Sequence, residues 1–215
     1  PGGSGRVYAI TPGGMQVPLP PTLSDTATFG TAIAAGWHRS AGRNTVALAV
    51  GAPGSRSAYL FRGDPRQGET ITLVGCIQRG TEPGFGGAVA LGDLNGDDQD
   101  DLIVGSSRTD LERRPRFHVF LGATAPGSTT CSETAWPEFA AVDCPAGGSG
   151  DLPACERGAE GFGASFATGD FDQDGRDELA VGAPGVNGRS HADVGAVWLY
   201  QANASNTALE ERAVL

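Results

Sequence analysis

Residues Phe85-Gly86-Gly87-Ala88-Val89-Ala90-Leu91-Gly92-Asp93-Leu94-Asn95-Gly96-Asp97-Asp98-Gln99-Asp100-Asp101-Leu102-Ile103-Val104-Gly105 decide the fold. A small, apolar run opens at Phe-Gly, breaks into an acidic loop and resumes as a second apolar run ending in Val-Gly. The order returns from Phe162-Gly163, through Asp170-Phe171-Asp172-Gln173-Asp174-Gly175-Arg176-Asp177-Glu178, to Val181-Gly182, with the same Phe-to-Gly spacing. A third copy, Phe29-Gly30 to Val50-Gly51, is two residues longer and has lost the acids. Self-similarity of this kind marks a repeat architecture.

Around each copy the chain supplies two more strand patterns. Alternating runs at Ser57–Phe61, Phe117–Leu121 and Gly195–Tyr200 read as third strands. Less regular runs near Thr70–Val74, Glu138–Val142 and Leu209–Val214 read as fourth strands. Four short strands per unit is the pattern of a propeller blade. The expected class is all-β, a β-propeller of four-stranded antiparallel blades, as one repeat segment over 1–215. Its parts are a half blade (1–28), a blade without metal (29–84), a blade with an acidic loop and a Cys-containing insertion (85–161), and a second acidic-loop blade (162–215). In the half blade, Gly5–Ile10 matches a third strand and Met15–Leu19 a fourth. Its missing strands predict self-association or a partner segment that completes the ring.

Composition agrees. Glycine, 34 of 215 residues, is about twice its usual share of roughly 7%. A 3.6-residue apolar period is nearly absent, so helices are not expected. The net charge of −10 opposes binding to nucleic acid. No stretch is long and apolar enough to span a bilayer. The chain starts at Pro1 without a leader pattern, which reads as a mature or excised piece. Cys76, Cys131, Cys144 and Cys155 form no zinc pattern and suit an oxidising, extracellular compartment. Cys144 with Cys155 would close a short Pro/Gly loop, and Cys131 with Cys144 is an alternative. The long insertion Gly122–Gly161 is expected to be stapled.

The acidic loops carry the chemistry. Asp93, Asn95, Asp97 and Asp101 occupy positions one, three, five and nine; Asp170, Asp172, Asp174 and Glu178 repeat them. Alternate residues of a curled loop can aim oxygens at one point, and position seven, Gln99 or Arg176, would add a backbone carbonyl. Hard oxygens alone favour Ca²⁺, two sites in all, over zinc or copper. The spacing is not that of an EF-hand, because position twelve is Val104 or Val181. Two near-identical loops at one distance from Phe-Gly also exceed what ordinary turn chemistry produces. In the first copy Trp37–Arg43 replaces the acids; no ion is expected there, and Arg39 or Arg43 could fill the gap.

These residues resemble the Phe-Gly/Gly-Ala-Pro repeats of the integrin α-subunit β-propeller. The resemblance rests on Phe85-Gly86, Phe162-Gly163, both acidic loops and Val181-Gly182-Ala183-Pro184-Gly185. It implies a ring of about seven blades, calcium between the first two strands of a blade, and an extracellular module for protein binding or cell adhesion. Alternatives are a carbohydrate-binding propeller, or a non-catalytic accessory region of a secreted hydrolase. The expected partner is a protein or glycan, with no membrane insertion. Trp37, Trp136 and Trp198 are the candidates for stacking on sugars, with Trp136 preferred and Trp198 assigned to the core. Arg62-Gly63-Asp64 spells an adhesion tripeptide but reads as turn chemistry. His38, His118 and His191 are scattered, and no nucleophile motif accompanies them, so the chain is read as no enzyme.

Overall fold

The computed structural model describes residues 7–10, 16–18, 28–40, 43–64, 70–106, 114–127, 130–134, 136–145, 161–186 and 194–215. A short antiparallel pair, β1 (Tyr8–Ile10) and β2 (Gln16–Pro18), precedes three four-stranded sheets. Blade one is β3 (Ala32–Ser40), β4 (Arg43–Ala52), β5 (Ser57–Gly63) and β6 (Thr72–Gln78). Blade two is β7 (Phe85–Gly92), β8 (Asp101–Ser106), β9 (Arg116–Phe120) and β10 (Glu138–Asp143). Blade three is β11 (Ser165–Gly169), β12 (Glu178–Ala183), β13 (Ala196–Ala202) and β14 (Leu209–Val214). In every blade, strands consecutive in the chain are hydrogen-bonded neighbours and antiparallel. The chain is an all-β partial propeller. Among the described residues, no helix is long and apolar enough to cross a membrane.

β5 and β13 each run two residues past their expected ends, and β6 departs further. β6 runs on to Gln78, because Cys76 and Ile77 pair with Tyr59 and Ala58 beyond a bulge at Leu60/Phe61.

The core lies between blades. All six residues of β8 are buried, and their period of two divides them between two interfaces. Leu102 and Val104 pack with Ala49, Leu60 and Ile77 of blade one. Ile103 packs with Leu179, Val181 and Trp198 of blade three. At about 1.5–3 kcal/mol for each large aliphatic or aromatic side chain buried, these interfaces dominate the favourable terms.

Phe-Gly and Val-Gly are two halves of one contact. Phe85 and Phe162 are fully buried, and the glycines that follow, Gly86 (φ +84°) and Gly163 (φ +76°), are left-handed. A Cβ on Gly51 would collide with the Gly86 carbonyl, and one on Gly105 with the Gly163 carbonyl. The Val-Gly of one blade therefore touches the Phe-Gly of the next, backbone to backbone.

The insertion after β9 is stapled, and to the neighbouring blade. Cys131 is bonded to Cys76 on β6, with a Cα–Cα distance of 4.7 Å. Gln78 donates its N–H to Ser132 (3.3 Å) and Gly127 donates to Val74 (2.7 Å), so this segment covers the open edge of blade one. The alternative Cys131–Cys144 pairing is thereby overturned. Cys144 is itself in a disulfide; the expected pairing with Cys155 lies outside the described residues. Trp136 is also corrected: it is 1% exposed, its ring lies over Gly75 and its Nε1 donates to Leu121 O (3.0 Å). It has no face left for a sugar. Trp198 is in the core, as expected.

His118 on β9 is buried between Glu82 (Nε2–Oε2 2.6 Å) and Glu138, which its Nδ1 meets. Arg79 pairs with Glu138 (2.9 Å) and Arg116 with Glu82 (3.7 Å). Burial pulls the imidazole down, but the hydrogen bonds it donates to the Glu138 and Glu82 carboxylates outweigh it, and the imidazolium is held above its usual 6.5. Burial also pushes both carboxyls up, and the bonds from His118 bring them below their usual 4.5.

Two outcomes follow. Gly51→Ala and Gly105→Ala each lower unfolding free energy by about 1–3 kcal/mol through overpacking. Gly127→Ala, with nothing within 4 Å of a new Cβ but φ at +63°, costs only the left-handed strain of about 1–2 kcal/mol. Urea midpoints at constant m-value check this. The His118 network predicts a stability plateau. The raised imidazole contributes fully below 6.5 and loses its contribution as pH rises through its folded value; the lowered carboxyls contribute above 4.5 and lose theirs as pH falls. The urea midpoint of wild type relative to His118→Gln is largest between those limits and shrinks on both sides; a constant difference would refute the linkage.

Candidate metal centre

Both acidic loops, 93–101 and 170–178, join the first two strands of their blades and fold by one scheme. In the first, Asp93 Oδ1 accepts the N–H of Asp97 (3.0 Å) and Oδ2 that of Asp98 (2.7 Å). In the second, Asp170 accepts from Asp174 (3.0 Å) and Gly175 (3.1 Å). Position three accepts from position five: Asn95 Oδ1 from Asp97 (3.0 Å), and Asp172 Oδ1 from Asp174 (3.1 Å). Position five accepts from position seven, Asp97 from Gln99 and Asp174 from Arg176, both at 2.9 Å. Short acidic side chains holding their own backbone curl each loop inward.

The curl needs two left-handed residues per loop, at positions four and six. The first loop uses Gly96 (φ +76°) and Asp98 (φ +65°); the second uses Gln173 (φ +62°) and Gly175 (φ +89°). Each loop has its glycine at only one of the two, and the sequence shows only that one.

Position nine forms the base. Asp101, fully buried, accepts N–H groups from Leu94 (3.2 Å) and Gly122 (2.9 Å). Glu178 Oε2 accepts from Phe171 (2.7 Å) and Asp172 (3.3 Å). Glu178 Oε1 is buried and has no hydrogen-bond partner among the described residues. Carboxylate oxygens of Asp170, Asp172 and Asp174 all lie within 4.8 Å of one another.

Charge accumulates accordingly. Burial, reinforced by Asp97 and Asp93 against the Gly122 and Leu94 N–H groups, pushes the Asp101 carboxyl up to about 8. Burial raises Asp93, against the N–H groups of Asp98, Asp97 and Gly96. Nearby donors offset part of the charge: Gln201 Nε2 reaches Asp172 (3.1 Å) and Asp174 (3.2 Å), and Arg176 Nη2 reaches Asp174 (3.0 Å).

Several participants were not foreseen. Position eight, Asp100 and Asp177, reaches the preceding blade. Asp100 N–H donates to Trp37 O (3.2 Å) and Trp37 N–H to Asp100 Oδ2 (2.5 Å). Asp177 N–H donates to Asp93 O (2.8 Å) and Asp93 N–H to Asp177 Oδ2 (3.0 Å). An acid at position eight of both loops was the available signal. Gln201, buried on β13, gave none.

In the first copy β3 and β4 pair out to Ser40↔Arg43, a hairpin where the other blades have a loop. The side chains of Arg39 and Arg43 lie outside the described residues, as does His191. Arg62 and Gly63 belong to β5; Gly63 is buried, and Arg62 Nη2 donates to Gly122 O (2.9 Å). The Arg-Gly-Asp tripeptide is part of a blade junction, not a displayed loop.

Residues 85–115 and 162–200 match the FG-GAP repeat family model; the chain carries FG-GAP repeats at both places. Among solved structures it is similar to the C-terminal domain of PilY1 from Pseudomonas aeruginosa, at TM-score 0.51 and 13% identity. The match covers 93% of this chain and 38% of that one, so the chain spans well under half of its neighbour's length. That likeness speaks for the fold.

Gln173→Gly removes a side chain from a left-handed position. It stabilises the metal-free chain by about 0.5–1 kcal/mol, the strain relieved less the entropy glycine adds to the unfolded chain. That is a rise of roughly 1–4 °C in melting temperature at this size, whereas Gly175→Ala lowers it.

Proposed function

We propose that the chain is a calcium-stabilised FG-GAP propeller module, extracellular and non-catalytic, that binds a protein or glycan partner in adhesion. The observation that carries the reading is the Asp170, Asp172 and Asp174 oxygen cluster, in a loop that ends at Glu178, whose Oε1 is buried without a hydrogen-bond partner among the described residues. An orphaned carboxylate oxygen is costly without a cation or donor, and an all-oxygen set suits Ca²⁺.

Asp170, Asp172, Asp174, Glu178 and the Arg176 carbonyl would hold one ion; Asp93, Asn95, Asp97, Asp101 and the Gln99 carbonyl would hold the other. The ions supply positive charge that relieves carboxylate repulsion and ties the first two strands of a blade together. Two ions would bring the net charge to about −6. The staple from Cys76 to Cys131 supports an oxidising, extracellular setting.

The reading extends to ring completion. Gly51 and Gly105 each receive a Phe-Gly turn of the next blade, whereas Gly182 of blade three has Ser165 of its own blade against it. Val194, Val197 and Leu215 are exposed on blade three, and Ile33 and Trp37 on blade one. A further blade or a second copy would cover such faces.

Calcium at a hundredfold excess over Kd stabilises by about 2.7 kcal/mol per site, so chelation lowers the melting temperature and calcium restores it. Asp97→Ala with Asp174→Ala abolishes the response. A calcium shift that survives in the double variant overturns the site assignment.

A further inference from the structure

We propose that the two loops bind calcium cooperatively and that Asp177 is the positioning residue through which the loop 170–178 prepares the loop 93–101. The proposal rests on the calcium reading above.

Asp177 sits between positions seven and nine, Arg176 and Glu178, both assigned to the second ion. Its backbone and side chain grip Asp93, position one of the first loop, by the reciprocal bonds of 2.8 and 3.0 Å. A second link runs parallel: Arg176 Nη1 donates to Asn206 Oδ1 (3.2 Å), and Asn206 Nδ2 donates to Asn95 O (2.8 Å), at position three. Two ligand positions of the first loop therefore hang on the second.

The junction is built rather than incidental. It recurs one blade earlier, where Asp100 grips Trp37 by the same pair of bonds although position one there is no ligand. Space for the gripping carboxylate comes from the glycine before position one. A Cβ on Gly92 would lie 2.9 Å from Asp177 Oδ2 and 2.7 Å from Thr168, and one on Gly36 would collide with Asp100.

Coupling follows from preorganisation. An ion in the second loop fixes residues on both sides of Asp177; a fixed Asp177 fixes the backbone of Asp93; an ion entering the first loop then has less chain to order. Repulsion between the ions opposes this. Asp97, Asp98, Asp172 and Asp174 are exposed, so water and salt, with a Debye length of about 8 Å, damp the repulsion, whereas the hydrogen bonds act by direct contact.

The test uses the whole chain and calcium alone. In Asp97→Ala, which disables the first loop, calcium should slow amide exchange at residues 93–98 about tenfold, within the usual range of coupling between sites. Adding Asp177→Ala should leave calcium binding to the second loop intact and remove that protection, and Asp177→Asn, which keeps an acceptor oxygen, should restore most of it. By calorimetry Asp177→Ala alone should retain two sites with one weakened about tenfold. Protection confined to the second loop, or unchanged by Asp177→Ala, overturns the coupling while leaving calcium binding in place. Absence of any calcium binding by the native chain overturns both readings.

Discussion

The backbone contact between the Val-Gly of one blade and the Phe-Gly of the next is the constraint on which the other features depend. Gly51 against Gly86, and Gly105 against Gly163, leave no room for a side chain. Neighbouring sheets are thereby fixed at one separation and one register. Leu102 and Val104 then reach one neighbour and Ile103 the other, so β8 has no solvent face. The buried Phe that opens each unit anchors the same contact from the core side: Phe85 against His118, Phe162 against Phe117 and Trp198.

Fixing the register also fixes where the loops lie. Strands that pack glycine to glycine at one end bring their connecting loops together at the other. Position eight of one loop then falls beside position one of the blade before it, and the Asp177–Asp93 and Asp100–Trp37 pairs result. Asp170, Asp172 and Asp174 converge within the second loop, whereas the acid at position eight of each loop turns outward to the preceding blade. Neighbouring residues such as Asp100 and Asp101 thus have unrelated tasks.

What the sequence disclosed follows this division. The blades, the strand order and the loop acids repeat at fixed offsets, and a repeat can be seen from one chain. The Cys76–Cys131 bond could not be seen, because spacing favours nearby cysteines and only the fold brings residues 55 positions apart to one blade edge. Trp136 looked like a surface aromatic because it lies in an irregular insertion; the missing Cβ of Gly75 makes its slot. The Arg62-Gly63-Asp64 tripeptide resembled a ligand motif, yet strand pairing of Gly63 with Val46 commits it to a sheet. Gln201 went unnoticed because a lone buried amide has no pattern.

Blade one shows what the acidic loops accomplish by doing without them. Its first two strands pair nine residues deep, from Ala32↔Gly51 to Ser40↔Arg43, against five in blade three. Backbone hydrogen bonds there hold the turn that a ring of carboxylates leaves open. The same blade sends Arg62 into the next junction. Burial lowers the Arg62 guanidinium from its usual value, and Asp100, Asp97 and Asp101 raise it again. A resident arginine thus offsets part of the charge on the first loop from outside, as Arg176 does for Asp174 within the second. Neither hydrogen-bonds the acid at position nine: Asp101 accepts from Leu94 and Gly122 and stays raised, and Glu178 Oε1 has no partner among the described residues. Flexible cations moderate the rim, and a small, hard cation suits what remains inside.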